Sequence, residues 1–314
     1  MNLVAKAYAP GSMRNHKCQW NNFLKFCIAN RLQVFPPVIQ NIVRFYTKLI
    51  QTLKSYSSLQ NYESSISLFY KVYGYSIDTS SIMVKLLNMS AKKSLNTSPA
   101  TKRPLEVSQL LAMIQHVNSQ DPFQVTFITA VTVGFFGLLR RSNICPPSPQ
   151  QYDSSKHLRR QDLQVTDQGL IINLRWSKTN QDGSKVFQIP VARSGHSVLD
   201  PPRMFQQFDS MFQVLPDDPC FSFYWCNKHY VLTHKDLATM LASSMQRLGF
   251  HTDGVTTHSI RKGGATLLHR AGIMIPDLKE HGTWKSDSYK HYIDYNITQK
   301  LKVTQDVYKF LNIV

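Results

Sequence analysis

Apolar residues recur at intervals of three and four along the first ninety positions, which is the spacing of one buried helix face. Four successive series of this kind predict four helices. The third stops at Gly74, a residue suited to a helix C-terminus, and Pro37 suits the first turn of the second. The residues that define the series are Trp20, Phe23, Leu24, Cys27 and Ile28; Ile39, Ile42, Val43, Tyr46, Leu49 and Ile50; 59–73; and Ile82, Leu86 and Met89.

A polar, basic stretch with two prolines separates these helices from the rest of the chain. It covers 91–105, and its composition is that of a linker. The sequence therefore predicts a helical domain over 1–95, a basic linker over 96–104 and a second domain over 105–314.

The second domain changes its hydrophobic period twice. Helical spacing over 106–117 is followed by a segment, 122–139, that is apolar nearly all round and is expected to be buried. Alternating residues and two turns that carry Asp and Gly then predict a three-stranded antiparallel meander. Its strands are placed at 162–165, 170–176 and 186–189, the last ending before Pro190, and helical spacing returns from Thr233. The predicted fold is mainly α with a small antiparallel β-sheet.

The charge of the chain indicates a class of partner. The 314 residues contain 36 Lys and Arg against 19 Asp and Glu, a net charge of +17. The first hundred residues hold 12 of the basic residues and only two acidic ones, Glu63 and Asp78. A strongly basic protein most often binds a polyanion, and nucleic acid is the usual one. The alternative, an excess of charge that only keeps the protein soluble, stays open.

The five cysteines are scattered, which favours a reducing, intracellular setting over a disulfide framework. Cys220, Cys226, His229 and His234 lie close together, but they lack the paired spacing of structural zinc ligands, so no zinc site is expected. The aromatic residues at 221 and 223–225 indicate a buried apolar segment instead. No apolar run reaches the roughly 18 residues of a membrane helix, and no signal peptide is recognisable. We expect a soluble protein that is not secreted.

Four places in the second domain carry side chains that suit a phosphate. Arg140 follows the apolar helix, and Lys178 stands at the tip joining the second and third strands. His258 and Arg261 share one face of a helix, so both can contact one anion. Tyrosines follow at 289, 292 and 295, and a phenol oxygen is an available nucleophile. Each signal is weak alone, because surface arginines, solvated lysines, chance His-x-x-Arg pairs and core tyrosines are all common.

Together these residues resemble the catalytic set of the tyrosine recombinases, the phage-integrase family. The resemblance covers about 101–300 and rests on G-L-L-R-R-S-N, W-S-K-T-N, H-S-I-R and G-T-W-K-S-D in that order. The first 95 residues match the family's core-binding domain by position and composition only. The chain looks closest to recombinases of eukaryotic mobile elements, the DIRS, Ngaro and Crypton types. The catalytic residues carried over are Arg140, Lys178, His258, Arg261, Trp284 and Tyr292.

Three positions depart from the family pattern. Lys262 stands directly after Arg261, where many members have His, and this substitution is expected to be tolerated. Asn143 stands where many members have Glu, which supports the site and does not react, so a neutral amide departs from that account without removing the catalytic core. Thr283 follows Gly282 where others have His, and Trp284 comes one place later. Tyr292 is chosen among the tyrosines because it lies ten residues beyond Gly282, the family's usual interval.

The resemblance implies that DNA is cleaved and rejoined without a metal or nucleotide cofactor. Tyr292 would attack the scissile phosphate and form a 3′-phosphotyrosyl bond. Arg140 and Arg261 would hold the two non-bridging oxygens as negative charge develops. Lys178 would protonate the departing 5′ oxygen.

The same resemblance assigns supporting roles and partners. His258 would exchange the tyrosine's proton or brace the phosphate, and Trp284 would pack the site and donate its indole N–H. The implied partner is double-stranded DNA, bound by a homo-tetramer, and the segment 296–314 either docks on a neighbouring subunit or packs on its own. We expect an intracellular protein, nuclear if the host is eukaryotic.

Two other functions stay open. One is a domesticated, transposon-derived protein that binds DNA but no longer transfers strands. The other is a type IB topoisomerase-like enzyme, which shares the chemistry but relaxes supercoils as a monomer. The separate helical domain and the short C-terminal tail favour a recombinase.

Overall fold

The computed structural model describes residues 7–78, 80–95, 102–177, 180, 184–194, 198–293, 301 and 305. The chain divides into two compact units, Met1–Thr101 and Lys102–Val314. The first unit is helical, and the second combines helices with two small antiparallel sheets, so the predicted fold class is confirmed. Within these described ranges, no helix has both the length and the apolar character needed to span a membrane.

The first unit contains the helices α1 (Pro10–Ala29), α2 (Ile39–Ile50), α3 (Tyr56–Val72) and α4 (Ile82–Ser94). The side-chain oxygens of Ser55 and Ser81 cap α3 and α4. Gly74 follows α3 with a positive φ of 83°, which confirms the predicted end of that helix. The place expected for Pro37 was wrong, because α2 begins two residues later, at Ile39.

The core of this unit is largely aromatic. Trp20 stacks on Phe69 with ring centroids 5.2 Å apart and meets Tyr70 edge-on at 5.1 Å. The hydroxyl of Tyr70 donates to the backbone carbonyl of Val34 at 2.9 Å, so its buried polar end is satisfied. The predicted core position Ile28 is exposed, near the end of α1.

Helix α4 exists as predicted, but its apolar stripe faces outward. Ile82, Leu86 and Met89 are 68%, 57% and 58% exposed, whereas Val84 and Ala91 are buried. The three- and four-residue spacing identifies a helix face without saying whether a neighbouring element covers it.

The second unit is built around α6 (Pro122–Phe136), which is buried nearly all round, as its sequence predicts. Three helices pack on it, α5 (Val107–Gln115), α8 (Pro201–Met211) and α10 (His258–Arg270). The further helices are α7 (Arg141–Ile144), α9 (His234–Arg247) and α11 (Ile275–His281), and a 3₁₀ turn covers Asp287–His291. Helix α8 was missed, although its cap Asp200 and the prolines at 201–202 are start signals.

The predicted meander is present, with β1 (Leu163–Val165), β2 (Gly169–Leu174) and β3 (Phe187–Ala192) antiparallel in that order. The third strand does not end before Pro190 but continues through it to Ala192. Because β3 lies at the edge of the sheet, a proline there removes no bond that the sheet requires.

A second hairpin, β4 (Ser222–Trp225) with β5 (Lys228–Val231), was not predicted. Its segment was expected to be buried; Phe223 is, but Tyr224 and Trp225 are about half exposed toward the hairpin tip. Cys226 occupies the exposed turn, away from the buried Cys220. In the described part of the chain, no group of three or more His, Cys, Asp or Glu side chains is placed to hold a metal ion.

Two glycines allow α10 to lie directly against α6. A Cβ at Gly264 would lie 2.0 Å from the carbonyl oxygen of Phe135, and one at Gly263 would lie 2.1 Å from that of Leu105. Only glycine fits at such distances. This close approach brings the first turn of α10 to the C-terminal end of α6, where those predicted catalytic residues that the structure describes meet.

Candidate active site

Helix α6 ends in a tight turn that presents Arg140. Gly137 is the C-cap, and Leu138 follows with a positive φ of 47°. The N–H of Leu139 bonds back to the carbonyl of Gly134 at 2.9 Å, which is the pattern of a Schellman helix end. Arg140 then forms the N-cap of α7, with its side chain partly buried.

Asn143 ties this turn to the sheet. Its side chain is almost fully buried, and its Oδ1 accepts a hydrogen bond from the backbone N–H of Arg140 at 3.2 Å. Its Nδ2 donates to the carbonyl of Trp176, just after β2, at 3.0 Å. A carboxylate can accept but cannot donate. The amide therefore makes a bond that an ionised carboxylate could not.

The predicted residue Lys178 lies outside the described residues, as do 179 and 181–183. The base of its hairpin is described. Asn180 is buried and donates to the carbonyls of Arg175 at 2.9 Å and Lys185 at 2.6 Å. Arg175 also pairs with the buried carboxylate of Asp162 at 2.6 Å. The two arms of the hairpin are thus joined at their base.

Arg261 is 2% exposed and joins the C-termini of two helices. Its Nη1 donates to the carbonyl of Leu138, after α6, and its Nη2 donates to the carbonyl of Gly282, after α11, at 2.7 Å. Carbonyls at a helix C-terminus lack partners within the helix and carry partial negative charge, so they stabilise a buried cation. Arg261 is therefore a structural link as well as a phosphate-binding candidate.

The end of α11 repeats the turn at the end of α6. Gly282 is the C-cap, Thr283 takes a positive φ of 55°, and the N–H of Trp284 bonds to the carbonyl of Lys279 at 2.8 Å. A Cβ at Gly282 would lie 1.9 Å from the Trp284 ring, so glycine is required beneath the indole. The ring in turn lies over Arg261, whose Cζ is 4.2 Å from its centroid.

Tyr292 lies against the same side chains. Its ring centroid is 4.8 Å from that of His258 and 5.2 Å from that of Trp284. The Cζ of Arg261 is 5.0 Å from the Tyr292 ring. His258 and Arg261 come from the first turn of α10, so one helix turn and two helix ends assemble the group.

Of the other two tyrosines considered from the sequence, one is described. Tyr289 is 8% exposed and packs in an apolar cluster with Leu138 and Leu278. Tyr295 lies outside the described residues. Of the two described tyrosines, Tyr292 is the one in contact with His258.

The electrostatics of the group favour a neutral histidine between cations. Burial, followed by the charges of Lys102, Arg261, Arg140 and Arg141, lowers the pKa of His258 to about 4. At neutral pH the imidazole is unprotonated and can accept a proton. Burial and the charge of Arg140 lower the pKa of Arg261 to about 9, opposed by the Tyr292 hydroxyl, so the guanidinium stays charged.

Four buried polar atoms of this group have no hydrogen-bond partner among the residues described: Arg140 Nη1, Arg261 Nε, Thr283 Oγ1 and Trp284 Nε1. Buried donors seldom stay unpaired, because each costs about 1–3 kcal/mol. Three of these atoms are N–H donors, and two of those belong to cations. An anion with several acceptor oxygens, such as a phosphate diester, would satisfy them together.

By sequence, the chain matches no family model and no curated protein. It is similar in structure to the XerH site-specific recombinase bound to palindromic difH substrate, at 12% identity over 97% of this chain and 81% of that one, with a TM-score of 0.64. It is also similar to the Tn1549 transposon integrase in complex with transposon right end DNA, at 16% identity over 93% of each chain, with a TM-score of 0.62. The chain has the tyrosine recombinase fold.

A third tyrosine recombinase structure gives the same result. A lambda integrase dimer bound to a COC′ core site is similar at 13% identity over 93% of this chain and 91% of that one, with a TM-score of 0.61. Since so few residues are identical, these likenesses concern the fold. In this chain, the fold brings Arg140, His258, Arg261, Trp284 and Tyr292 together.

The residues that hold this tyrosine recombinase fold together around the site were not predicted from the sequence. The glycine pair at 263–264, inside a helical pattern, was a usable signal of close packing. Asn143 was noticed only as a departure from a family pattern. Thr266, whose hydroxyl donates to the carbonyl of Tyr292 at 3.0 Å, gave no local signal at all.

Proposed function

We propose that this protein is a site-specific DNA recombinase that cleaves and rejoins DNA through a 3′-phosphotyrosyl intermediate. One observation carries the proposal: buried N–H donors of Arg140, Arg261 and Trp284 stay unpaired beside Tyr292, in an arrangement that suits a phosphate. The fold supports it, because the similar structures are recombinases and integrases bound to DNA.

In the proposed reaction, Tyr292 Oη attacks the scissile phosphorus, the bond to the 5′ oxygen breaks, and a 3′-phosphotyrosyl bond forms. His258 accepts the phenolic proton. Its pKa is lowered to about 4, so the imidazole is unprotonated at neutral pH and has room for that proton. Arg140 and Arg261 stabilise the negative charge of the transition state. A 5′ hydroxyl from a second duplex then reverses the step and reseals the DNA.

Two further residues take supporting roles in this proposal. Trp284 donates its buried indole N–H to a phosphate oxygen, because that group has no acceptor among the described residues. Lys178, proposed from its motif, supplies the proton to the departing 5′ oxygen. Asn180 joins the two arms of this hairpin at their base. This supports the role, because a proton donor needs a fixed support.

The partner proposed is double-stranded DNA, gripped by the strongly basic first hundred residues together with the catalytic unit. Most of the affinity should come from phosphates and fall steeply as salt rises. The same proposal includes a homo-tetramer on paired sites, a parent element of the DIRS, Ngaro or Crypton type, and action in the nucleus of a eukaryotic host.

The test is capture of a covalent protein–DNA adduct from a library of randomised duplexes. Each duplex carries a nick that lets a short 5′-hydroxyl fragment diffuse away after cleavage, so the adduct cannot reseal. We expect a DNA adduct that survives denaturation, is absent with Tyr292→Phe and persists with Tyr289→Phe. Tyr289 is the matched control, because it is a buried tyrosine of the same segment that packs in the apolar cluster.

Other outcomes favour the other functions. Retention of DNA without any adduct would overturn the recombinase proposal in favour of a DNA-binding protein that has lost strand transfer. An adduct accompanied by relaxation of supercoiled plasmid, but no joining of paired sites recovered from the library, would favour a topoisomerase-like enzyme.

A further inference from the structure

We infer that Thr266 is a positioning residue for the tyrosine nucleophile, an inference that rests on the proposed function. Thr266 is 1% exposed on α10, and its hydroxyl donates to the backbone carbonyl of Tyr292 at 3.0 Å. The same helix carries His258 and Arg261. One rigid element therefore supplies the proton acceptor, a phosphate ligand and an anchor for the nucleophile.

Tyr292 needs an anchor because its own segment is short. It follows the 3₁₀ turn Asp287–His291, and its N–H bonds to the carbonyl of Tyr289 within that turn at 2.8 Å. A single turn of 3₁₀ helix has little stability of its own. The bond from Thr266 joins the Tyr292 backbone to a helix that is fixed against α6 by Gly264.

Apolar contacts alone would hold this segment less specifically. Tyr289 and Ile293, on either side of Tyr292, are buried in a cluster with Ala265 and Leu278. Apolar burial is not directional, so it keeps the turn in place without fixing how the backbone is rotated. A hydrogen bond has a preferred direction and sets where the Tyr292 ring points.

The expected consequence is kinetic. A displacement of reacting groups by about 1 Å can lower a rate by about a hundredfold. We therefore expect Thr266→Val to slow formation of the Tyr292 adduct by roughly tenfold to a hundredfold. DNA affinity should stay unchanged, because Thr266 is uncharged and buried.

The experiment compares three variants on the duplex recovered from the adduct library. Thr266→Val removes the hydroxyl, Thr266→Ser keeps it, and Thr129→Val is the matched control. Thr129 is equally buried, but its hydroxyl donates to the carbonyl of Val125 within its own helix at 2.8 Å. Adduct rate, DNA affinity and free energy of unfolding are measured for each. We expect the adduct rate to fall only in Thr266→Val.

A second measurement separates positioning from general damage. In a Tyr292→Phe background, hydrogen peroxide is supplied as an external nucleophile: HOO⁻ attacks the phosphorus, and the 5′ oxygen leaves with a proton. This cleavage needs the phosphate-binding groups but no tyrosine. Adding Thr266→Val should therefore leave the peroxide-driven rate unchanged.

Several results would overturn the inference. The first is a Thr266→Val rate equal to that of the wild type, and the second is a Thr266→Ser rate as low as that of Thr266→Val. An equal loss in peroxide-driven cleavage would assign Thr266 a structural role only. If the wild-type protein forms no adduct, the proposed function fails and this inference fails with it. If the wild-type protein forms the adduct and Thr266→Val forms it at the same rate, only this inference fails.

Discussion

The buried amide of Asn143 donates a hydrogen bond of 3.0 Å to the backbone carbonyl of Trp176. The same side chain accepts from the backbone N–H of Arg140, so it couples the arginine turn to the base of the hairpin that carries Lys178. The position where many tyrosine recombinases have Glu is therefore filled by a residue that works as donor and acceptor at once.

We predict that Asn143→Asp lowers the stability of the protein by about 1–3 kcal/mol, because the Trp176 carbonyl loses its donor and a carboxylate is buried. Adduct formation should fall as well, since the turn that presents Arg140 is no longer tied to the Trp176 carbonyl at the base of the hairpin. Urea unfolding and the adduct assay measure the two effects. The matched control is Asn173→Asp on β2, where the side chain accepts from Gln188 at 3.3 Å and keeps its acceptor. Equal stability of Asn143→Asp and the wild type would contradict the donor role.

We predict unequal stability effects at the two arginines. Arg261→Gln should cost about 3 kcal/mol, because the Leu138 and Gly282 carbonyls both lose a charged donor. Arg140→Gln should change stability by less than about 1 kcal/mol, because Arg140 Nη1 has no partner among the described residues. Both variants should lose the adduct. Thermal unfolding and the adduct assay are measured for both variants. If Arg140→Gln were as unstable as Arg261→Gln, the role of Arg140 would be structural and not reserved for the substrate.

The sequence was sufficient for features that depend on neighbouring residues. The end of α3 at Gly74 and the all-round burial of α6 follow from local signals and were predicted correctly. The stripe of Ile82, Leu86 and Met89 has the same helical spacing yet faces outward, because periodicity does not say what covers a helix. The edge position of β3, which lets Pro190 stay within the strand, is a property of the sheet and not of the segment.

The supporting bonds of the site lay beyond sequence analysis for a physical reason. Arg261 bonds to the backbone carbonyl of Leu138, 123 residues away, and a backbone carbonyl has no residue type to recognise. The side chains proposed for catalysis were named because their chemistry is distinctive. Those that position them, such as Thr266 and Asn143, are common residues whose role appears only when distant elements meet.

We predict that each chain assembles its own nucleophile. The ring of Tyr292 lies 4.8 Å from that of His258 within one chain, so a phosphate bound there meets the tyrosine of the same chain. Mixing Arg140→Gln protein with Tyr292→Phe protein should therefore yield no adduct on the recovered duplex. Either protein mixed with wild type serves as the positive control. An adduct formed by the two inactive proteins together would show that the tyrosine is donated between chains.

We predict that Gly264→Ala severely destabilises the unit that carries the site. The new Cβ would lie 2.0 Å from the Phe135 carbonyl oxygen, so α10 must move away from α6 and take His258 and Arg261 with it. A loss of several kcal/mol, of the order seen for overpacked cores, is expected in urea unfolding. Gly11→Ala is the matched control: nothing lies within 4 Å of its added Cβ on helix α1, so stability should be unchanged or gain up to about 1 kcal/mol. A tolerated Gly264→Ala would contradict the close packing.

The last prediction concerns pH. Burial first, then neighbouring cations, lower the folded-state pKa of His258 to about 4, whereas an exposed histidine titrates near 6.5. Between these values the unfolded chain takes up a proton that the folded chain does not, so the free energy of unfolding should fall as pH falls from about 6.5 to about 4. Below about 4 both states are protonated, and this contribution becomes constant.

Urea unfolding at a series of pH values between these limits tests the linkage. His258→Gln should flatten the slope, and His234→Gln should flatten it separately, because burial lowers the pKa of His234 to about 4 as well. The double variant should be flatter than either. A phosphate diester bound beside His258 favours the imidazolium, so a duplex should reduce the part of the slope that belongs to His258 and leave that of His234. An unchanged slope in His258→Gln would mean that His258 is not held neutral in the folded protein, and it would remove the basis for assigning it as the proton acceptor.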